Sequence, residues 1–306
     1  MPLSPNLRGA VYMIVAMIGF AFNDAITKHS SASMNMAQVM LVRGLFASTL
    51  IALLAWRQGA LATPRLAFHP LVAVRALAES GGTLSFLLAL AHLPLANVSA
   101  VMQALPLAVT MGAALFFGEG VGWRRWLAIV MGFFGVMIVV RPGFEGFSPY
   151  SLLALASVVC CMVRDLVTKK IPTEIPTLLV STTTAMIITI LGALLLVPMG
   201  GWTTMSGPDL TLLAVAAVLV LIGYQFVILS MRTGDVSFVA PYRYTALLWS
   251  MLLGLIVFSD IPDSAMLLGS AVVVASGIYT FYRERVVGRP RNAVESTGPT
   301  MEPDGI

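Results

Sequence analysis

Asp24-Ala-Ile-Thr-Lys28 ends one long apolar run of the sequence, and Asp165-Leu-Val-Thr-Lys169 ends another run 141 positions later. Phe117-Gly118-Glu119 is likewise followed, 141 positions later, by Phe258-Ser259-Asp260. One short match could arise from the common chemistry of helix ends. Two matches at the same offset indicate that the chain contains two related halves.

Apolar residues dominate the chain and are gathered into long runs. Of 306 residues, 58% are hydrophobic and 10% are charged, whereas soluble domains carry about 25% charged residues. Each run approaches the roughly 20 residues that a helix needs to cross the hydrocarbon core. Ten transmembrane helices are predicted, at 9–28, 36–56, 70–91, 96–117, 123–140, 149–168, 177–197, 209–230, 236–258 and 264–282. The predicted fold class is an all-α integral membrane protein.

The two halves must lie in opposite orientations, because each contains five spans and five is an odd number. The first repeat is predicted over 1–145, the second, inverted repeat over 146–282, and a disordered cytoplasmic tail over 283–306. A pair of small residues supports the relation, since Ala108/Gly112 recurs as Ser250/Gly254 at an offset of 142. Inverted repeats of this kind are typical of secondary transporters.

The basic residues between the spans are distributed unequally. Lys28 and Arg141 fall in loops on one side. The other side holds Arg8, Arg57, Arg65, Arg124, Arg125, Lys169, Lys170, Arg232, Arg283, Arg285, Arg289 and Arg291. Because basic loops are retained in the cytoplasm, both termini are predicted to be cytoplasmic in a bacterial inner membrane. These loops and the tail account for the net charge of +4, so a basic face for nucleic acid is not expected.

The first half also carries a loose pattern that contains one proline, one acid, one tryptophan, two glycines and one valine. Its members are Pro106, Glu119, Trp123, Gly132, Gly135 and Val136. This pattern, with a comparable stretch from Gly254 to Gly277, resembles the EamA family of the drug/metabolite transporter superfamily. The second half departs from it, since Asp260 stands where glutamate is usual and Pro241 lies earlier in its helix than Pro106. The resemblance implies ten helices, a central cavity lined by helices 1, 3, 4, 6, 8 and 9, and transport without ATP hydrolysis.

The third predicted span carries a polar stripe. Arg75 and Glu79 are one helical turn apart, and Gly82 and Phe86 continue the same face. An ionisable side chain inside a span costs about 2.5–3.5 kcal/mol on insertion scales, so it should face protein or water. The stripe is interpreted either as an ion pair that lowers this cost or as part of a substrate path. In the second case Glu79 binds a cation or proton and Phe86 supplies an apolar wall.

The ninth predicted span carries Pro241-Tyr242-Arg243-Tyr244, followed by Trp249. Proline frees a backbone carbonyl, which is tolerated at membrane depth beside a cavity or another helix. The aromatic rings form either an interfacial belt or a wall that stacks on a substrate, with Tyr242 and Trp249 on one face. Arg243 is expected to pair with an anionic ligand group or with Glu79.

Three neutral polar residues lie inside spans that the resemblance assigns to the cavity. Gln103, Tyr224 and Gln225 are interpreted as ligand-binding groups or as partners in hydrogen bonds between helices.

The ends of the first and sixth spans carry charged residues at matching positions. Asn23 and Asp24 are interpreted as substrate contacts or as helix-end anchors, and Arg164 and Asp165 as anchors in the equivalent turn. Arg43 is assigned the structural role of neutralising Asp24.

Neither a catalytic nor a metal site is predicted, and no cofactor is expected. His29, His69 and His92 fall at helix ends, and the adjacent Cys160 and Cys161 point about 100° apart on a helix. The sequence lacks H-E-x-x-H, G-x-G-D, G-x-S-x-G and G-x-x-x-x-G-K-[ST], which argues against proteases, hydrolases and a self-contained ATP-driven pump. An intramembrane enzyme is the main rival class, followed by a channel.

The expected partners are a small-molecule substrate and the lipid bilayer, and a homodimer is left open. Three stretches resemble EamA members that take up riboflavin or S-adenosylmethionine: Asn23-Asp24-x-x-x-Lys28, Leu41-Val-Arg43-Gly-Leu-Phe and Ala240-Pro-Tyr-Arg243-Tyr. Riboflavin is the leading expected substrate, followed by S-adenosylmethionine and then by amino acids or their relatives.

Overall fold

The structure is a computed structural model that describes residues 4–143 and 147–287. Its helices are α1 (Pro5–Ser30), α2 (Met36–Arg57), α3 (Pro70–His92), α4 (Leu95–Met102), α5 (Leu105–Phe117), α6 (Trp123–Val140), α7 (Tyr150–Thr168), α8 (Thr177–Leu196), α9 (Gly207–Thr233), α10 (Val236–Val239), α11 (Thr245–Phe258) and α12 (Ser264–Val287). Two 3₁₀ helices cover Pro64–Phe68 and Ala240–Tyr244. Within the described ranges, ten helical segments are long and apolar enough to cross a membrane. The predicted all-α membrane fold with ten spans is confirmed.

The first and last spans extend beyond their predicted ends. Helix α1 begins at Pro5, because the Ser4 hydroxyl caps it by accepting a hydrogen bond from the Leu7 N–H (3.3 Å). Helix α12 continues to Val287, so residues 283–287, which were predicted to belong to the tail, are helical. The rest of the predicted tail, 288–306, lies outside the described residues.

The fourth and ninth spans are each interrupted, although both were predicted as continuous helices. Helix α4 ends at Met102 and α5 begins at Leu105. Pro106 explains this break, since proline donates no hydrogen bond and its ring clashes with the carbonyl four positions earlier, that of Met102. Pro241 has the same effect near the start of the ninth span, where the chain forms the 3₁₀ helix before α11.

The most extensive helix contacts all join the first half of the chain to the second. They pair α1 with α9, α2 with α8, α3 with α7, and α6 with α12, while α4 packs on α11. Exchanging the halves converts the α1–α9 pair into the α7–α3 pair and leaves the others unchanged. This is the arrangement expected of two inverted five-helix units, and the division into 1–145 and 146–282 stays a prediction.

Helices α6 and α12 approach each other at two glycines. A Cβ atom added at Gly135 would lie 2.8 Å from the Gly269 carbonyl oxygen, and one added at Gly269 would lie 2.6 Å from the Gly135 carbonyl oxygen. Small residues let transmembrane backbones come this close. On the side where α6 ends, Asp263 caps α12 and pairs with Arg141. The hydrogen bond from the Met266 N–H, together with Arg141, holds the pKa of Asp263 below its ordinary value.

We expect Gly135→Ala and Gly269→Ala to lower the thermal stability of the purified protein. The added methyl group would meet backbone rather than a flexible side chain, and overpacking of this kind costs about 1–3 kcal/mol. The measurement is the melting temperature in detergent, with tryptophan fluorescence as the signal of unfolding. Gly207→Ala is the matched control, because its added Cβ meets nothing within 4 Å. Equal melting temperatures for all three variants would show that α6 and α12 are not in close contact.

Candidate functional site

A cavity of about 370 Å³ is lined by helices from both halves. Its walls come from α1, α2, α3, α4, α7, α8, α9, the 3₁₀ helix Ala240–Tyr244 and α11, with Leu105 contributed by α5. The family resemblance implied the first, third, fourth, sixth, eighth and ninth spans. The structure adds the second and seventh spans, α2 and α8, which pack against each other.

Most of the polar residues proposed from the sequence do line this cavity. They are Asn23, Asp24, Glu79, Gln103, Tyr224 and Arg243, joined by the apolar Phe86. Gln225 does not join them. It follows Tyr224 by one position, which turns it about 100° around the helix, and it lies exposed on the outer face of α9.

Arg75 is buried beside the cavity rather than in its lining. It is 1% exposed, and it donates hydrogen bonds to Thr168 Oγ1 (3.0 Å) and Thr184 Oγ1 (2.7 Å). The prediction that Arg75 forms an ion pair with Glu79 is therefore wrong. The Arg75 guanidinium is hydrogen-bonded to hydroxyl groups of α7 and α8. The Glu79 carboxylate pairs with another arginine instead.

That arginine is Arg164, which forms a buried charged cluster with two acids. Arg164 Nη1 donates to both carboxylate oxygens of Glu79 (3.1 and 3.0 Å), and Arg164 Nε donates to Asp165 Oδ1 (2.7 Å). Arg164 and Asp165 are 5% and 1% exposed. Asp165 Oδ2 accepts no hydrogen bond within the described part of the chain. We call Glu79, Arg164 and Asp165 the Arg164 cluster.

Arg243 adds a positive charge near this cluster. It lines the cavity and interacts electrostatically with Asp165. The sequence predicted a pairing of Arg243 with a ligand anion or with Glu79. In the structure, Glu79 is paired with Arg164. The acid that interacts electrostatically with Arg243 is Asp165.

A second polar group lies on the first two helices. Arg43 Nη1 donates to Asn23 Oδ1 (3.2 Å) and to Thr27 Oγ1 (3.4 Å), while Asn23 Nδ2 donates to Asp24 Oδ1 (2.9 Å). Asp24 and Arg43 interact electrostatically, but the ion pairs of the described residues do not include them. Arg43 therefore acts on Asp24 through its charge and through the Asn23 amide. We call Asn23, Asp24, Thr27 and Arg43 the Asn23 cluster.

Aromatic rings form part of the cavity wall, but they are not all the predicted ones. Phe20 and Tyr224 meet edge to face, with ring centroids 5.2 Å apart, and both line the cavity with Phe86. Tyr242 and Trp249 instead pack against the apolar cluster that contains Met13, Met17 and Val227. The predicted stacking wall of Tyr242 and Trp249 therefore lies outside the cavity lining.

Two lining residues were given only structural roles from the sequence. Arg43 and Arg164 both contact the cavity, although each also serves as a hydrogen-bond donor to neighbouring helices. The available signal was their position, since a guanidinium inside a span must face protein or water.

Metal binding has little support in the described residues. Within 4–143 and 147–287, no group of three or more His, Cys, Asp or Glu side chains is arranged to hold an ion. Cys160 and Cys161 are free thiols.

Proteins of similar sequence are named as transporters. Residues 7–141 match the EamA-like transporter family, which confirms the resemblance seen in the sequence. The S-adenosylmethionine uptake transporter of Rickettsia felis is 25% identical over 285 residues, covering 92% of this chain and 95% of the relative. The riboflavin transporter of Vibrio cholerae is 27% identical over 295 residues, covering 94% and 97%.

Two further proteins extend the comparison. A pseudopaline exporter of Pseudomonas aeruginosa is 25% identical over 276 residues, covering 88% of this chain and 94% of the relative. A crystal structure of a protein that is 17% identical matches with a TM-score of 0.64, over 92% of this chain and 99% of that one. This match shows a shared fold. Along about nine-tenths of its length, the chain is similar to bacterial metabolite transporters.

We expect Arg164→Gln to destabilise the protein strongly. Removing one partner of a buried ion pair leaves uncompensated charge and costs about 3–5 kcal/mol, here at both Glu79 and Asp165. The measurement is again the melting temperature in detergent. The double variant Arg164→Gln with Asp165→Asn should recover part of the loss, because it removes one of the unpaired carboxylates. Unchanged stability of Arg164→Gln would mean that the cluster does not hold α3 against α7.

Proposed function

We propose that this chain, whose residues 7–141 match the EamA-like transporter family, is a secondary transporter that moves a small organic metabolite across the bacterial inner membrane. The observation that carries the proposal is a cavity walled by both halves and lined by ionisable groups from each of them. Buried charges at membrane depth are costly, and they mark substrate and ion paths. Relatives named as transporters of metabolites support the same conclusion.

The two charged clusters offer different chemistry to a substrate. In the Arg164 cluster, the Glu79 carboxylate receives two hydrogen bonds from Arg164, so its charge is already compensated. In the Asn23 cluster, Asn23 holds the Asp24 carboxylate and the Arg43 guanidinium side by side without a direct ion pair. Both Asp24 and Arg43 line the cavity. One anionic and one cationic group in this arrangement complement an α-amino carboxylate, with its ammonium on Asp24 and its carboxylate on Arg43.

S-adenosylmethionine fits this arrangement. It combines an α-amino carboxylate with a sulfonium cation and an adenine ring, and Phe20, Tyr224 and Phe86 offer aromatic faces for the ring and the cation. Similarity to an uptake transporter for this compound supports the assignment. The charged lining thus favours S-adenosylmethionine over riboflavin, which was expected first from the sequence.

Riboflavin is the second candidate. Its flat ring would use the same aromatic wall, its polar edges would use Gln103 and Asn23, and a riboflavin transporter is among the relatives. Riboflavin carries neither an ammonium group to pair with Asp24 nor a carboxylate group to pair with Arg43. The two candidates therefore predict different effects of substitutions in the Asn23 cluster.

We expect purified protein in liposomes to exchange labelled S-adenosylmethionine in a saturable manner. Counterflow exchange is the measurement, because it reports import and export alike. Arg43→Gln should raise the half-saturation concentration about tenfold, the value of one lost charge-assisted contact of roughly 1.4 kcal/mol. Decarboxylated S-adenosylmethionine lacks the group proposed to meet Arg43, so it should compete equally well against the wild type and Arg43→Gln. A pH gradient, applied or omitted, tests coupling to protons.

Matched variants separate the outcomes of this assay. Gln225→Ala alters an exposed residue outside the cavity and should leave exchange unchanged. Asp24→Asn should weaken the binding of S-adenosylmethionine but not the binding of a deaminated analogue. Exchange of riboflavin that is insensitive to Arg43→Gln and Asp24→Asn would support the second candidate. Failure to exchange S-adenosylmethionine, riboflavin or amino acids would contradict the proposal.

The proposed orientation places both termini in the cytoplasm. The twelve basic residues on that side, against two on the other, support it. Reporter fusions after Arg285 and within the Arg57–Pro70 segment should report cytoplasm, and a fusion within 141–148 should report periplasm. A periplasmic C-terminus would overturn the orientation.

A further inference from the structure

The fourth and ninth spans end in the same local structure. The residue after each span has a left-handed backbone, with φ 66° at Gly118 and φ 56° at Ser259. The next residue, Glu119 or Asp260, donates its N–H to the carbonyl six positions earlier, at 3.4 and 3.0 Å. Each motif thus presents an acid just beyond a helix end, on opposite sides of the bundle. We call the side where α1 begins and α12 ends the terminal side.

On the terminal side the acid is paired with a lysine from the other half. Lys169 Nζ contacts Glu119 Oε1 in an ion pair, and it lies 5.8 Å from the centroid of the Phe117 ring. Lys170 Nζ lies 4.4 Å from the same centroid. The contact joins the end of α7, in the second half, to the end of α5, in the first.

On the opposite side the equivalent residues are close but not paired. Lys28 Nζ lies 5.3 Å from the centroid of the Phe258 ring, yet it donates to the carbonyls of Leu90 (3.3 Å) and Leu93 at the end of α3. The ion pairs of the described residues do not include Lys28 with Asp260. Asp260 Oδ2 is buried and accepts no hydrogen bond within 4–143 and 147–287.

A buried carboxylate oxygen without a donor is costly. Lys28 interacts electrostatically with Asp260, so a partner of the correct charge is nearby. What keeps Lys28 away is its pair of hydrogen bonds to the negative end of the α3 dipole. A movement of α1 and α11 relative to α3 would exchange these carbonyls for the carboxylate.

We propose that Lys28–Asp260 and Lys169–Glu119 are two latches that close in alternation, one on each side of the cavity. Each latch joins one half to the other, so closing it draws the halves together on that side. The structure has the terminal-side latch closed and the opposite latch open. In the second conformation Lys28 binds Asp260, and Glu119 separates from Lys169. The inference rests on the proposed transport function, because alternating closure exposes the cavity to one side at a time.

The test follows access to the cavity rather than transport. Ser99 lines the cavity, and Ser99→Cys provides a thiol for a membrane-impermeant maleimide applied to sealed vesicles of either orientation. The protein without this substitution, which retains Cys160 and Cys161, gives the background. We expect Ser99→Cys alone to react faster from the opposite side, since the terminal-side latch is closed.

Neutralising the two latches should shift access in opposite directions. Glu119→Gln should raise the rate of reaction from the terminal side about fivefold, the population change that a lost ion pair of modest strength produces. Asp260→Asn should lower that rate, because it destabilises the second conformation. Glu119 is the residue to change on the terminal side, since Lys170 could replace Lys169.

Two further variants keep the test decisive. Asp263→Asn removes a carboxylate on the same side as Asp260 that pairs with Arg141, and it should leave access unchanged. Lys28→Gln should act in the same direction as Asp260→Asn and serves if Asp260→Asn fails to fold. Shifts in the same direction for Glu119→Gln and Asp260→Asn, or no shift in either, would overturn the latches. The labelling needs no substrate, so it can be read even if every substrate proposed above fails to be transported.

Discussion

A guanidinium buried at membrane depth has to be neutralised, and the centre of this protein is arranged around that requirement. Arg164 is 5% exposed and holds the carboxylates of Glu79 and Asp165 through separate nitrogens. Glu79 belongs to α3 and the other two residues to α7, so the cluster joins two extensively packed helices from opposite halves of the chain. A planar guanidinium can bind two acids at once, which a lysine at this position could not do with the same geometry.

The inverted arrangement places a second polar cluster at the matching turn of the first half, but the two differ in charge compensation. Asn23 stands where the second half has Arg164, and a guanidinium arrives instead from Arg43 on the neighbouring helix. The Asn23 cluster is therefore held together by hydrogen bonds through the Asn23 amide, and the Arg164 cluster by direct ion pairs. Both clusters contribute an acid and a base to the cavity lining, but Glu79 and Arg164 are paired with each other, whereas the ion pairs of the described residues do not include Asp24 with Arg43. The two halves therefore play unequal parts in the proposed recognition of a dipolar substrate.

The fold could be predicted from the sequence because the bilayer requires each span to have a certain length and an apolar composition. Both properties can be recognised in the amino-acid sequence. The partners of individual charged side chains could be predicted less well. Arg75 and Glu79 share a helix face, yet Thr168 and Thr184 from other helices bind the arginine. Spacing along one helix reports which side chains share a face. It does not report which neighbouring helix offers a stronger partner, and Trp249 faces a core rather than the cavity for the same reason.

The proline break in the fourth span places a backbone carbonyl without its usual helical partner beside the cavity. Since Pro106 has no N–H, the Met102 carbonyl loses its usual partner within the helix, and Met102, Gln103 and Leu105 around the break all line the cavity. We therefore expect the Met102 carbonyl oxygen to accept a hydrogen bond from a group outside its own helix. This acceptor is independent of the side chain at position 102, so replacing Met102 with another residue would change the shape of the wall and leave its oxygen in place.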